Sequence, residues 1–284
     1  MSSPRSPLPR PEALHMQVAR NIRNEIEAGS LRDGDVLPST RELAEQWAVS
    51  VFTISEAMRV LAEEGLVVSR SRSKRIVRVP DQAQREQIRL AKPQLILVGG
   101  YAGSGKTQLG RVLARETGWP MLDKDTLTRP ILEAALEVIG ESPNDRESAK
   151  YLSLMRPREY EATMAAAHEN VECGNSAIVT APFLREFRDQ AWLTRTAATF
   201  AAMNATTTVV WVYCDVATMH TYIRHRGAAR DTAKLGNWDG YLETIDTDFR
   251  PPVPHVVIDN CASSTPLQTQ AVDLLKTILV GDKS

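Results

Sequence analysis

The stretch LVGGYAGSGKTQLG, residues 97–110, limits what this chain can fold into more than any other. An apolar run leads into a glycine loop, and Lys106 and Thr107 open a segment with Leu109, Val112 and Leu113 at helical spacing. The loop reads Gly100-x4-Gly105-Lys106-Thr107, the pattern of a phosphate cradle. Glycines let backbone N–H groups reach phosphate oxygens with no Cβ in the way, and the following helix aims its positive end at the anion. A lysine in this place reaches the β- and γ-phosphates, and the hydroxyl beside it holds Mg²⁺. The strand before the loop and the helix after it predict a nucleotide site built from Gly100, Tyr101, Ala102, Gly103, Ser104, Gly105, Lys106, Thr107 and Gln108, with ATP as cofactor and Mg²⁺ as metal.

The residues after the loop alternate as an α/β sheet requires. WPMLDKDTL reads as a second strand ending in Asp123 and Asp125; SAIVTAPF (176–183), TTTVVWVYCD (206–215) and PHVVIDN (254–260) read as further buried strands. Helices fill the gaps, and LQTQAVDLLKTIL closes the chain. The expected fold is a parallel sheet flanked by helices, with ligands at the carboxyl ends of its strands. An Asp-x-Asp is also what a helix N-cap plus a solvated acid looks like, and Asp125 fits the cap.

Ahead of this lies a different composition. The chain has a net charge of −1, but residues 1–93 carry 15 Lys and Arg against 12 Asp and Glu, while the remainder carries 19 against 23. A mildly basic front and an acidic back suit a part that faces nucleic acid joined to something else. Leu14, Val18, Ile22 and Ile26 mark one face of a helix stopped at Gly29, and DGDVLP reads as a turn. Ser39 with Glu42 three residues on forms a capping box ahead of Leu43, Ala44 and Trp47. A second capping serine, Ser50, precedes Ile54, Ala57, Met58 and Leu61. The pair reads as a helix-turn-helix. LVVSRSRSKRIVRV then reads as a hairpin in which Arg70, Arg72, Lys74, Arg75 and Arg78 fall in nine residues without an acid. Such a wing can lie along phosphates.

The expected domains are a disordered Pro/Ser-rich tail (1–10), a winged helix-turn-helix (11–80), a polar Pro-bounded linker (81–93) and a P-loop domain (94–284). No apolar run is long enough to span a membrane, and the first residues lack the apolar core of a signal peptide. Cys173, Cys214 and Cys261 are far apart, as free thiols of a reducing cytoplasm would be, mostly buried. Neither the cysteines nor the five histidines make a metal-site pattern.

The front domain resembles the winged helix-turn-helix of GntR-family transcription regulators. The resemblance rests on Gly34, Asp35, Leu37, Pro38, Ser39; Val49, Ser50, Thr53, Ala57; Leu61 and Gly65. It implies a double-stranded DNA operator as partner and a homodimer on a palindromic site. Candidate DNA contacts are Ser39, Thr40, Arg41, Phe52, Thr53, Ser55, Glu56 and Arg59, with Arg70, Arg72, Lys74 and Arg75 on phosphate. The family usually carries arginine where this chain has Val51 and Ser55. Arginine is the commonest reader of guanine, so a winged helix used for protein contacts is the alternative.

The second domain resembles small P-loop kinases of the shikimate-kinase, chloramphenicol-phosphotransferase and zeta-toxin type. That resemblance implies roles for Asp123 or Asp125 as metal support or base, and for Arg224, Arg226 and Arg230 as lid arginines on the transferring phosphoryl group. With Thr107, Asp123 is the candidate metal ligand. Where this group often carries an acid on the third strand, Thr180 stands here. The insertion GESPNDRESAKYLSLMRPREYEATMAAAHENVECG covers a small-molecule acceptor in such kinases, though its Asp145, Arg146, Glu147, Arg156, Arg158, Glu159 and Tyr160 also read as surface pairs. Two functions follow: a DNA-binding regulator whose P-loop domain binds ATP as effector or turns it over slowly, or a working small-molecule kinase that regulates itself through DNA. A zeta-like toxin is a third reading, which needs an antitoxin partner.

Overall fold

In the computed structural model of the chain, residues 13–28, 30–70, 74–78, 92–228 and 231–281 are described. The predicted tail, nearly all of the predicted linker, Gly29, Arg72 and Arg230 lie outside them. The chain divides into two compact units, Met1–Gln82 with Cys261–Ser264 and Ala83–Asn260 with Thr265–Ser284. Among the described residues no helix is long and apolar enough to cross a membrane.

The first unit contains α1 (Leu14–Glu27), α2 (Thr40–Trp47), α3 (Val51–Glu63), β1 (Val67–Ser69) and β2 (Arg75–Val77). α1 buries Val18, Ile22 and Ile26 as its stripe predicts, while Leu14, in the first turn, stays exposed. The capping box forms: Ser39 Oγ accepts from Glu42 N at 3.3 Å and Ser39 N donates to Glu42 Oε2 at 2.7 Å. α2 ends on Ala48, which takes a left-handed φ of 51° and turns the chain into the second cap. There Ser50 Oγ accepts from Thr53 N at 3.0 Å. α3 then buries Ile54, Ala57, Met58 and Leu61 against α1 and α2. β1 and β2 pair antiparallel, with Val67 opposite Val77. The segment predicted as a turn does more: Val36 bridges Ile76, and Leu37 N donates to Arg75 O at 3.0 Å, so it edges the hairpin as a short third partner.

The second unit is a five-stranded sheet of β3 (Gln94–Gly99), β4 (Met121–Asp123), β5 (Ala177–Thr180), β6 (Thr206–Tyr213) and β7 (Val256–Asp259). The order is β4-β5-β3-β6-β7 and every pairing is parallel. β3 is buried along its whole length because helices cover both faces. The α-helices of this unit are α4 (Lys106–Thr117), α5 (Lys124–Val138), α6 (Arg156–Glu172), α7 (Gln190–Ala201), α8 (Val216–Arg226), the short α9 (Thr232–Gly236) and α10 (Trp238–Glu243), and α11 (Leu267–Gly281). Ile96, Val98, Leu109, Leu113, Ile178 and Val210 form the centre of one core with Leu267 and Ala271 of α11. The central strand has later strands on both sides, so the chain reverses direction of travel beside it. Ligands bind at such a point in open α/β sheets.

The second strand is shorter than predicted. It stops at Asp123 because that carboxylate accepts from Thr126 N at 2.9 Å and caps α5. Asp125 therefore lies in the first turn of a helix, and the cap predicted for it belongs to Asp123. None of the three cysteines forms a disulfide; Cys173 is exposed and the other two are buried.

Candidate functional site

The loop between β3 and α4 has the backbone its glycines allow. Gly105 caps α4 with φ 95°, where an added Cβ would collide with the amide of Asn260. At Gly100, φ 152°, a Cβ would meet Ser104 Oγ and the Val212 carbonyl, each at 2.6 Å. At these two positions the loop is wound too tightly for a side chain. Asn260, buried at the end of β7, donates to the Ser104 carbonyl at 3.0 Å and braces the loop from below.

Two observations fit an anion in the cradle. Ser104 Oγ is buried without a hydrogen-bond partner among the described residues, as is Gln108 Oε1. Lys106 turns its Nζ onto the loop's own Tyr101 carbonyl at 2.6 Å. Burial, helped by the nearby Arg226 guanidinium, pushes the Lys106 ammonium down to about 8, against the pull of Asp125, Cys214 and Asp123. A phosphate arriving there supplies the counter-charge that the lysine lacks.

Tyr101 and Ala102 tie the loop to distant chain. Tyr101 packs edge-on against Trp211, with centroids 5.5 Å apart, and its hydroxyl accepts from Arg188 Nη2 at 3.1 Å and Asp246 N at 3.0 Å. The Tyr241 hydroxyl meets the Ala102 backbone, and burial raises that phenol's pKa. Arg188, Tyr241, Asp246 and Asn260 carry no motif, and only the fold brings them here.

Thr107 Oγ1 donates to Asp123 Oδ2 at 3.3 Å, and Thr180 Oγ1 donates to the same oxygen at 2.7 Å. The candidate metal pair therefore stands together, and Thr180, in the place where an acid is expected, holds its carboxylate. Among the described residues no group of three or more His, Cys, Asp or Glu gathers around a metal position. One carboxylate and one hydroxyl fit the donor set of Mg²⁺, which keeps several waters and takes one or two carboxylates with substrate phosphates.

Beside this cluster opens a cavity of about 320 Å³, lined by Lys106, Thr107, Asp123, Asp125, Thr180 and Arg226. Arg146, Arg185 and Lys234 line it as well. Arg226 is aimed by the buried Asp231, which accepts from its Nε at 3.0 Å. Of the three arginines read as lid residues, Arg226 lines the cavity, Arg224 is exposed and does not line it, and Arg230 lies outside the described residues. Asp125 pairs with Lys124 Nζ at 3.0 Å. The insertion contains more than surface pairs. Arg158–Glu161 is one, but Glu159 is buried and accepts from Lys124 Nζ at 2.6 Å, Thr128 Oγ1 at 2.9 Å and Tyr151 Oη at 2.7 Å. Burial and the Glu159 charge raise the Tyr151 pKa, keeping the phenol protonated as a donor.

The candidate DNA residues lie in the first unit. Phe52 and Val51 are exposed at the start of α3. Thr53 shares a 2.8 Å hydrogen bond with Ser50, and Ser55 Oγ donates to the Val51 carbonyl at 3.0 Å. Arg59 lies between Glu56 and Glu63, at 3.1 and 2.6 Å. Arg41, Arg70 and Lys74 are exposed. Arg75 differs: its Nη1 donates to Thr40 Oγ1 at 2.6 Å, tying hairpin to α2.

Two family models match the chain. "Bacterial regulatory proteins, gntR family" matches residues 14–76, and "AAA domain" matches residues 95–247. The HTH-type transcriptional regulator GgaR of Escherichia coli is 41% identical over 59 residues, covering 21% of this chain and 23% of that protein. A shikimate kinase of Moorella thermoacetica is 34% identical over 104 residues, covering 36% of this chain and 58% of that enzyme. The chain thus spans less than two thirds of either relative. A solved gluconokinase from Sinorhizobium meliloti aligns over 66% of this chain and 95% of its own, at 18% identity and a TM-score of 0.44.

Proposed function

The chain belongs to the AAA domain family and carries a gntR-family domain ahead of it, and from that premise we propose a DNA-binding transcription regulator whose P-loop domain binds ATP with Mg²⁺ as an effector. The observation that carries the nucleotide half is the unpartnered, buried Ser104 hydroxyl inside a loop whose lysine rests on its own carbonyl. Thr107 and Asp123 would hold Mg²⁺, with Thr180 orienting the carboxylate. Bound there, the metal neutralises charge on the β- and γ-phosphates. The chain's own residues bind and orient: Lys106 on phosphate, Arg226 held towards it by Asp231, and Asn260 bracing the loop.

The reading is tested by duplex binding with and without ATP–Mg²⁺, using a duplex selected by the full chain. In the parent protein ATP–Mg²⁺ is expected to change affinity within the roughly 5- to 150-fold range of ordinary allosteric couplings. Lys106→Ala is expected to bind the duplex alike in both conditions. Equal binding by the parent at every nucleotide level sinks the effector role.

One observation favours a second reading, a working phosphotransferase. Asp125, Arg146 and Arg185 line the same cavity as the metal pair, and charged groups of this kind bind a polar acceptor. Asp125 would then take the acceptor hydroxyl's proton as that oxygen bonds to phosphorus and ADP leaves. Transfer of label from γ-labelled ATP to a hydroxyl acceptor, lost in Asp125→Asn with ATP binding retained, is the expected sign. An inactive parent across sugars, hydroxy acids and nucleosides excludes this reading for those classes.

A further inference from the structure

The recognition helix presents an unusual leading edge. Ile54, Ala57, Met58 and Leu61 face the core, so the opposite face of α3 carries Phe52, Glu56, Arg59 and Glu63. Phe52 lies at the middle of that face in the first turn and is 74% exposed; Val51 beside it is 49% exposed. The polar side chains around them are engaged within the protein. Ser50 and Thr53 cap the helix and bond each other, Ser55 returns its hydroxyl to the Val51 carbonyl, and Arg59 is held by two glutamates. The N-terminal residues of the second helix are the ones that reach base edges in this type of motif. In the major groove the only apolar feature of a base edge is the thymine C5-methyl group.

We infer that Phe52, flanked by Val51, reads a thymine methyl group, so that the preferred half-site is specified there by a T·A pair and not by a guanine. This rests on the DNA-binding reading above. An apolar pair standing at the base-reading turn, ahead of the exposed cations Arg70, Lys74 and Arg78, fits a groove lined by phosphates better than an apolar protein surface.

The test uses the full-length protein and a duplex it selects from a random-sequence pool. Each thymine of the selected half-site is replaced in turn by deoxyuridine, which removes only the methyl group. At one position binding by the parent is expected to weaken about three- to fivefold, the effect of exposing one methyl group. Phe52→Ala is expected to bind the thymine and deoxyuridine duplexes equally, while Phe52→Leu keeps part of the difference. A purely structural role for Phe52 would not produce that pattern. Neutral replacement at every thymine, or a selected half-site fixed by guanine and lost in Arg59→Ala, overturns the inference. A pool from which the parent selects no duplex overturns the DNA-binding reading and this inference with it.

Discussion

Lys106 shows how much one side chain can decide. Without a phosphate its ammonium is enclosed and leans on a single carbonyl, and its proton is held only up to about pH 8. The sign follows from which form binds. Below that pH the free protein already carries the charge that a polyphosphate needs, and affinity is flat. Above it a proton must be taken up on binding, so affinity is expected to weaken, by at most about tenfold per pH unit. Calorimetry of ATP binding at about pH 9, in two buffers of different ionisation enthalpy, reads that proton directly. Lys106→Arg stays charged and should lose both the uptake and the pH dependence. No uptake by the parent would mean that the lysine keeps its proton in the free protein. Thr180 makes the complementary point: in sequence it looks like a missing acid, yet its hydroxyl is a 2.7 Å donor that fixes Asp123.

Elements explain what was legible in the sequence and what was not. The P-loop, the two caps and the stripes of α1 and α3 depend on residues a few positions apart, and each appears as read except at Leu14, which is exposed in the first turn of α1. Local spacing failed at Asp123, where one carboxylate both caps α5 and faces Thr107, and at the segment 34–37, whose partner β2 lies some forty residues on. It failed again for Glu159, since nothing local tells a surface glutamate from one buried among Lys124, Thr128 and Tyr151. The hairpin separates two kinds of arginine in the same way. Arg70 and Lys74 are exposed and suited to phosphate, whereas Arg75 is bonded to Thr40. Truncating Arg70 or Lys74 to alanine should reduce the slope of log affinity against log salt by about 0.9 for each phosphate left without its cation, uniformly across sequences. Arg75→Ala should instead lower the melting temperature of the winged-helix unit, which the loss of Arg70 would leave unchanged. Salt slopes in the Arg70 and Lys74 variants equal to the parent's would remove the hairpin from the phosphate-binding surface.

The proposed function joins a DNA reader to a nucleotide site in one chain, and thermodynamics constrains that union whatever its geometry. If ATP–Mg²⁺ multiplies duplex affinity by some factor, the duplex multiplies ATP affinity by the same factor, because binding free energies close a cycle. The kinase reading carries no such demand: a rate constant for phosphoryl transfer need not respond symmetrically. The two readings therefore part on one measurement. A labelled ATP analogue is titrated into the protein with saturating selected duplex and, separately, with a scrambled duplex of equal length. An effector domain predicts that the selected duplex shifts nucleotide affinity by the factor found in the reverse experiment, and that Lys106→Ala abolishes the shift in both directions. A catalytic domain that shares only the chain predicts the same nucleotide affinity with either duplex. A shift in one direction alone is forbidden at equilibrium, so it would point to nucleotide turnover during the titration, which Asp125→Asn should then suppress.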